Sequence, residues 1–130
     1  MNQKTHYQKN IMIVNNDPDI VNRLQKLFES NGFTVTTADN DRRCLLELEN
    51  GFQGIIILDY KTPNLNCIDT IKRMRYEGFI DQNTIIMLTP KLIQGEEFDE
   101  IYTYIYDLII KPFDNKTVLK TIKKIALQSH

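Results

Sequence analysis

The chain has 130 residues, 42% of them hydrophobic, with 16 Lys+Arg against 17 Asp+Glu and a formal net charge of −1. A single domain of this length buries about two-thirds of its unfolded surface, so it needs no disulfide or metal staple. The near-zero charge removes the bulk electrostatic case for nucleic acid or an anionic membrane, no apolar run approaches the ~20 residues that span a bilayer, and residues 1–9 lack the apolar core of a signal peptide, so the expected location is cytoplasmic.

Strand and helix patterns then alternate five times along the sequence. The first strand runs from about Asn10 to Asn15 on the apolar core Ile11-Met12-Ile13-Val14. Asp17-Pro18 opens a helix, with Asp17 as N-cap and Pro18 at the first helical position. Ile20, Val21, Leu24, Leu27 and Phe28 give that helix one buried face, and Asn31-Gly32 ends it. Phe33 to Ala38 alternates and reads as an edge strand. Asp41 to Glu49 is a short helix closed by Asn50-Gly51.

Ile55-Ile56-Ile57-Leu58 reads as a strand buried on both faces of a parallel sheet, and it ends in Asp59. Asn66 to Glu77 is a third helix facing the core with Ile68, Ile71 and Met74. Asn83 to Leu88 is the fourth strand and ends at Thr89. Gln94 to about Tyr104 has helical spacing, with Phe98, Ile101, Tyr102 and Ile105 on one face. Leu108-Ile109-Ile110 is the last strand and runs into Lys111-Pro112. The last helix, from Asp114, buries Val118, Leu119, Ile122, Ile125 and Ala126. Lys116, Lys120, Lys123 and Lys124 on its outer side read as a solvated face that also suits the negative helix C-terminus. Cys44 and Cys67 fall in helices and read as free, packed thiols. His6 and His130 lie near the termini, with no role expected.

In open α/β sheets ligands bind outside the carboxyl ends of the strands. Four such ends here gather a carboxylate (Asp59), a hydroxyl (Thr89), an ammonium (Lys111) and a pair of amides (Asn15 and Asn16). The constellation resembles the receiver domain of two-component response regulators, the CheY-like phosphoacceptor domains. The resemblance rests on Asp59 with Pro63 four residues on, Thr89 after the fourth strand and Lys111-Pro112-Phe113 after the fifth, in that order and spacing. It covers nearly the whole chain, with a core from about residue 10 to 128.

The resemblance implies a flavodoxin-like (βα)5 fold: a doubly wound five-stranded parallel sheet in order 2-1-3-4-5. The length leads to the expectation of one receiver domain over 1–130, and the lack of a long tail after Gln128 to the expectation of no effector domain. The resemblance also implies chemistry. Asp59 would be the phosphoacceptor, taking a phosphoryl group from a phosphohistidine on a histidine kinase or phosphotransfer protein. Lys111 and Thr89 would contact the phosphoryl oxygens, and Thr89 with the position of Leu108 would form the switch. Mg2+ would be held by Asp59, by the backbone carbonyl of Lys61, by Asn16, and through water by Asn15. A downstream protein would dock on the face formed by the fourth helix, fifth strand and fifth helix. The domain would be no enzyme beyond self-catalysed transfer to Asp59.

The departures from the family pattern fall on that chemistry. Asn15 and Asn16 stand where the family has an acidic pair, and Mg2+ favours carboxylate oxygen. Leu108 replaces the switch aromatic, with Tyr106 two residues earlier as a conceivable substitute. Tyr104 replaces a helix-ending glycine, Cys67 replaces a loop glycine, and Pro90 stiffens the loop after Thr89. The functional expectation is therefore a stand-alone receiver whose Mg2+ binding is weak or absent and whose phosphorylation at Asp59 is impaired, acting as a pseudo-receiver interaction module. A fully working phosphoacceptor receiver is the alternative. A small-molecule-binding flavodoxin-like domain is a third reading, disfavoured because residues 15–18 offer no glycine to cradle a phosphate.

Overall fold

The structure is a computed structural model that describes residues 9–62, 65–91 and 95–127. His6, Pro63, His130 and Gln94, the expected start of the fourth helix, lie outside the described residues. The strands are β1 (Asn10–Val14), β2 (Thr34–Ala38), β3 (Ile55–Asp59), β4 (Thr84–Thr89) and β5 (Ile105–Ile110). The helices are α1 (Pro18–Glu29), α2 (Asp41–Glu49), α3 (Cys67–Tyr76), α4 (Glu96–Ile101) and α5 (Asn115–Leu127). The sheet has the order β2-β1-β3-β4-β5 with every pairing parallel, so the expected topology holds and β2 is an edge. Parallel neighbours need crossovers, and right-handed crossovers on either side of β1 place helices on both faces.

The apolar runs in the sequence follow from that double cover. Ile11 to Val14 and Ile55 to Leu58 are at most 1% exposed. Alternate residues serve opposite faces. Met12, Val14, Ile56, Leu58, Ile85 and Met87 pack with Cys44 and Leu48 of α2, Ile71 and Met74 of α3, and Phe98 and Ile101 of α4. Ile11, Ile13, Ile55, Ile57, Ile86, Leu88 and Ile109 pack with Leu24 and Phe28 of α1 and with Val118, Ile122 and Ile125 of α5. Each such side chain contributes about 1.5–3 kcal/mol, against about 1 kcal/mol for a helix cap, so the two core layers hold the sheet together.

Caps instead set where the helices begin. Asp17, Asn40, Asn66 and Asp114 accept the N–H of Asp19, Arg43, Asp69 and Thr117 at 3.0, 2.8, 3.1 and 2.7 Å. The hydrogen bonds from Thr117 hold the Asp114 carboxyl below the usual aspartate range.

The fourth helix is shorter than its spacing predicts. It stops at Ile101, a single 3-10 turn covers Tyr102–Tyr104, and Ile105 enters β5 opposite Ile85. Phe98 and Ile101 are buried as expected, whereas Tyr102 is 61% exposed. A spacing of three and four residues from Phe98 and Ile101 fits one helix face, but Ile105 buries equally well on a sheet, where its backbone also gains a ladder partner. The 3-10 turn replaces the left-handed cap that Tyr104 would resist. Among the described residues no side-chain-bearing residue has positive φ. Two short elements carry no sequence signal: a ladder pairing Lys61–Thr62 with Leu65–Asn66, and a 3-10 turn at Phe79–Gln82.

Candidate functional site

Strand alternation brings three of the expected residues to one place. Ile13, Ile57 and Ile109 all face α1 and α5. Asn15, Asp59 and Lys111 follow them by two residues at the ends of β1, β3 and β5, so all three emerge on that same side at the C-terminal edge, with β4 between the last two strands. Lys111 Nζ donates to Asp59 Oδ2 at 2.6 Å, and Asn15 Nδ2 donates to the same oxygen at 2.8 Å. Asp59 and Asn15 are 1% and 3% exposed. The Lys111 side chain reaches them from the rim, 26% exposed. Backbone bonds fix both flanks: Lys111 N–H donates to Thr89 O at 2.8 Å, and Asn15 N–H donates to Ala38 O at 2.9 Å. The Lys111-Pro112 bond is cis.

The orientation of the Asn15 amide follows from its partners. Its Oδ1 accepts the Asp17 N–H at 2.9 Å while its Nδ2 faces the carboxylate. Turning the amide over would set oxygen against Asp59 and NH2 against an N–H donor, two repulsive contacts in a buried site. The carbonyl that the sequence offers for a metal contact is thus already used in the turn that starts α1. Asp17 caps that helix on the exposed surface and does not reach Lys111.

The other candidates lie around this triad without joining it. Thr89 follows Met87, which packs toward α2, α3 and α4. Its hydroxyl is fully buried and donates to the Lys91 carbonyl at 2.7 Å. Asn16 is half-buried in the loop after β1. The Lys61 backbone pairs with Asn66 in the short ladder. Leu108 is half-buried opposite Met87 and packs toward the α2–α4 side. Tyr106 lies on β5, 40% exposed, but the register passes from Ile85–Ile105 to Ile86–Asp107 and leaves Tyr106 as the extra, bulged residue. The two-residue spacing to Leu108 therefore does not place the two side chains equivalently.

Both cysteines are buried free thiols, as expected. Burial, and then the charges of Asp41 and Glu47, push the Cys44 thiol up to about 12. Cys67, at the first position of α3, is raised by burial, then by Asp59 and Cys44. Thiols so raised are packing residues rather than nucleophiles.

Sequence reasoning missed one residue near the site. Arg23 of α1 donates to Asn115 Oδ1 and to the Phe113 carbonyl, partners 92 and 90 residues away. Nothing local in the sequence marks such a contact.

As chemistry, the triad is a charge-balanced, hydrogen-bonded carboxylate at a strand end. One ammonium neutralises Asp59 and one amide N–H supports the same oxygen. Among the described residues no cluster of three or more His, Cys, Asp or Glu side chains could hold a metal ion.

Comparison with known proteins places this site in context. The profile of the response regulator receiver domain matches residues 11–123. Transcriptional regulatory protein CpxR of Escherichia coli (strain K12) is 30% identical over 123 residues, covering 92% of this chain and 50% of that protein. The alkaline phosphatase synthesis transcriptional regulatory protein PhoP of Bacillus subtilis (strain 168) is 32% identical over 124 residues, covering 93% of this chain and 50% of that protein. The chain thus spans about half the length of these curated relatives. Among solved structures, a CheY-like response regulator receiver domain protein from Methanospirillum hungatei JF-1 superposes with a TM-score of 0.83 at 27% identity, covering 90% of this chain and 93% of that one. The receiver domain of a sensor histidine kinase from Pseudomonas aeruginosa PAO1, described with a magnesium ion coordinated in the active site cleft, matches in fold with a TM-score of 0.78 at 20% identity, covering 92% and 98%.

Proposed function

The chain belongs to the response regulator receiver domain family, and from that premise we propose that it is a pseudo-receiver, an interaction module whose Asp59 site is neutralised by its own side chains rather than by Mg2+. Receiver domains of two-component systems are signalling modules that work with histidine kinases and downstream effectors. The finer reading rests on one observation: the Asn15 amide donates to Asp59 while its carbonyl is taken by the Asp17 N–H.

Three physical points support it. A hard dication requires oxygen lone pairs directed at it, and the atom that Asn15 directs at the site is a donor nitrogen. The residues present therefore do not fit a metal as they stand. Charge points the same way, because Asp59 and Lys111 sum to zero, and a dication would leave the pocket with an uncompensated positive charge beside the Lys111 ammonium. Finally, the groups that would report a phosphoryl group are engaged elsewhere. The Thr89 hydroxyl is bonded to the Lys91 carbonyl, and Leu108 has no hydroxyl to offer.

In this reading Asp59, Asn15 and Lys111 hold one fixed arrangement, and partners recognise the surface above it. The working-receiver alternative keeps one supporting observation, the Asp59–Lys111 contact itself, which leaves a nucleophile beside a cation. Mass spectrometry after incubation with acetyl phosphate decides between them. The expected result is no Mg2+-dependent phosphoryl group on Asp59. Stoichiometric, Mg2+-dependent modification of Asp59 would establish the working receiver instead.

A further inference from the structure

We propose that Arg23 is a positioning residue for the Asp59 site, holding the turn after β5 against α1 so that Lys111 stays on Asp59. The inference deepens the reading above, because it concerns what maintains the Asp59–Lys111 pair on which that reading rests.

Three contacts converge on the turn that follows Lys111. Arg23 Nε donates to Asn115 Oδ1 at 2.7 Å, and Arg23 Nη2 donates to the Phe113 carbonyl at 2.6 Å. The guanidinium carbon also lies 4.7 Å from the centroid of the Phe113 ring. Two acceptors two residues apart, with a ring beneath them, match a planar fork of N–H groups; a lysine would satisfy one acceptor at a time. Among the described residues no carboxylate lies within ion-pair distance of Arg23, so nothing draws the guanidinium off the turn.

The arrangement matters for Lys111 because of where the turn is held. On its β5 side, Lys111 N–H donates to the Thr89 carbonyl. On its α5 side, Arg23 grips Phe113 and Asn115. Lys111 therefore extends toward Asp59 from a backbone pinned at both ends. Its long stem has many rotamers, and a fixed origin is what keeps the ammonium at hydrogen-bond distance. The same helix serves the other donor. At the start of α1 the Asp17 N–H holds the Asn15 carbonyl, and one to two turns later Arg23 holds the Lys111 turn. The start and the first two turns of one helix thus serve both Asn15 and Lys111, two of the groups on Asp59.

Amine footprinting tests this directly. The full chain is treated briefly with acetic anhydride, and the extent of labelling at each lysine is read by mass spectrometry. Lys116, Lys120 and Lys123 on the exposed face of α5 serve as internal standards. In Arg23→Ala, Lys111 labelling relative to those standards is expected to rise about threefold or more, the response of a loosened turn. Arg23→Met keeps the apolar stem over Phe113 and should behave like alanine, while Arg23→Lys should restore only part of the protection. Asn115→Ala removes the Nε acceptor without touching α1 and should shift Lys111 in the same direction by less, so the idea stays testable if the arginine variants do not fold. Unchanged Lys111 labelling in folded Arg23→Ala and Arg23→Met would overturn the proposal, as would an equal rise at every lysine. The labelling uses neither Mg2+ nor a phosphodonor. An Mg2+-dependent phosphorylation of Asp59 would therefore refute the pseudo-receiver reading while leaving this result to stand or fall by itself.

Discussion

Asn15→Asp leaves the size of the side chain almost unchanged and reverses the electrostatics of a buried pocket. In the parent, the Asn15 NH2 and the Lys111 ammonium both donate to Asp59 Oδ2, at 2.8 and 2.6 Å. In the variant, two carboxylates would share one ammonium. Losing a hydrogen bond to a charged group costs about 1.5–3 kcal/mol. Repulsion between unit charges ~4 Å apart adds about 4 kcal/mol at an effective dielectric of ~20. The Asp17 N–H gains a charged acceptor, which offsets about 1 kcal/mol. The net expectation is a loss of roughly 5 kcal/mol of folding free energy without metal at about pH 8.

Urea unfolding in EDTA measures this loss, and two further titrations identify its cause. The deficit should shrink on acidification, because crowded carboxylates share a proton and so relieve the repulsion. It should also shrink with added Mg2+, by about 2.7 kcal/mol once Mg2+ reaches a hundred times its Kd. Adding Asn16→Asp should tighten that binding to at least ~100-fold above the parent, since several kcal/mol at 1.4 kcal/mol per decade is two decades or more. A variant as stable as the parent in EDTA would refute the donor role assigned to Asn15. A parent that gains as much stability from Mg2+ as the double variant would show that the amides are adequate ligands, and the working-receiver reading would replace the one proposed.

Lys111→Met should destabilise the fold by about 3 kcal/mol, because it strands a carboxylate that is almost fully buried, whereas Asp59→Asn should cost less because the partly exposed ammonium can hydrate; urea midpoints of the two variants compare them directly. Cys44, its thiol pushed up to about 12, should not react with Ellman's reagent at about pH 8 until the protein is unfolded, and Cys67 should behave the same way; a native-state burst of colour would contradict their packing. Asp114→Ala should lower the melting temperature while Asp114→Asn largely preserves it. The Asp114 carboxyl is held below its unfolded value, so its contribution is complete above the ordinary aspartate range and disappears as pH falls below it. The melting temperatures of Asp114→Ala and the parent should accordingly converge at acid pH, and a gap that persists there would rule out the cap.

Most of the architecture was legible because its signals are local. Continuous apolar runs at Ile11–Val14, Ile55–Leu58 and Ile85–Leu88 mark strands covered on both faces, and polar residues at their ends mark the carboxyl edge. Asp17-Pro18 announces a helix start because a cap acts within three residues of itself. The meeting of Asp59 and Lys111 also follows from sequence, since strand order and two-residue alternation carry each to the same side of the same edge.

What the tertiary structure alone decided depends on choices between local options of nearly equal energy. Ile105 satisfies a helical spacing and a strand equally well, and the ladder opposite Ile85 settles the matter. A bulge then removes Tyr106 from the alternation that places Leu108. An asparagine side chain ends in one donor group and one acceptor, and the sequence does not say which faces Asp59. The Asp17 N–H on one side and the carboxylate on the other impose the answer. Arg23 reaches partners 90 and 92 residues along the chain, a contact that exists only once α1 and α5 pack on the same face of the sheet. The sequence determined which groups meet at the strand ends. The packed fold determined which atoms they present, because hydrogen-bond direction and side-chain reach are fixed by three-dimensional neighbours and not by spacing along the chain.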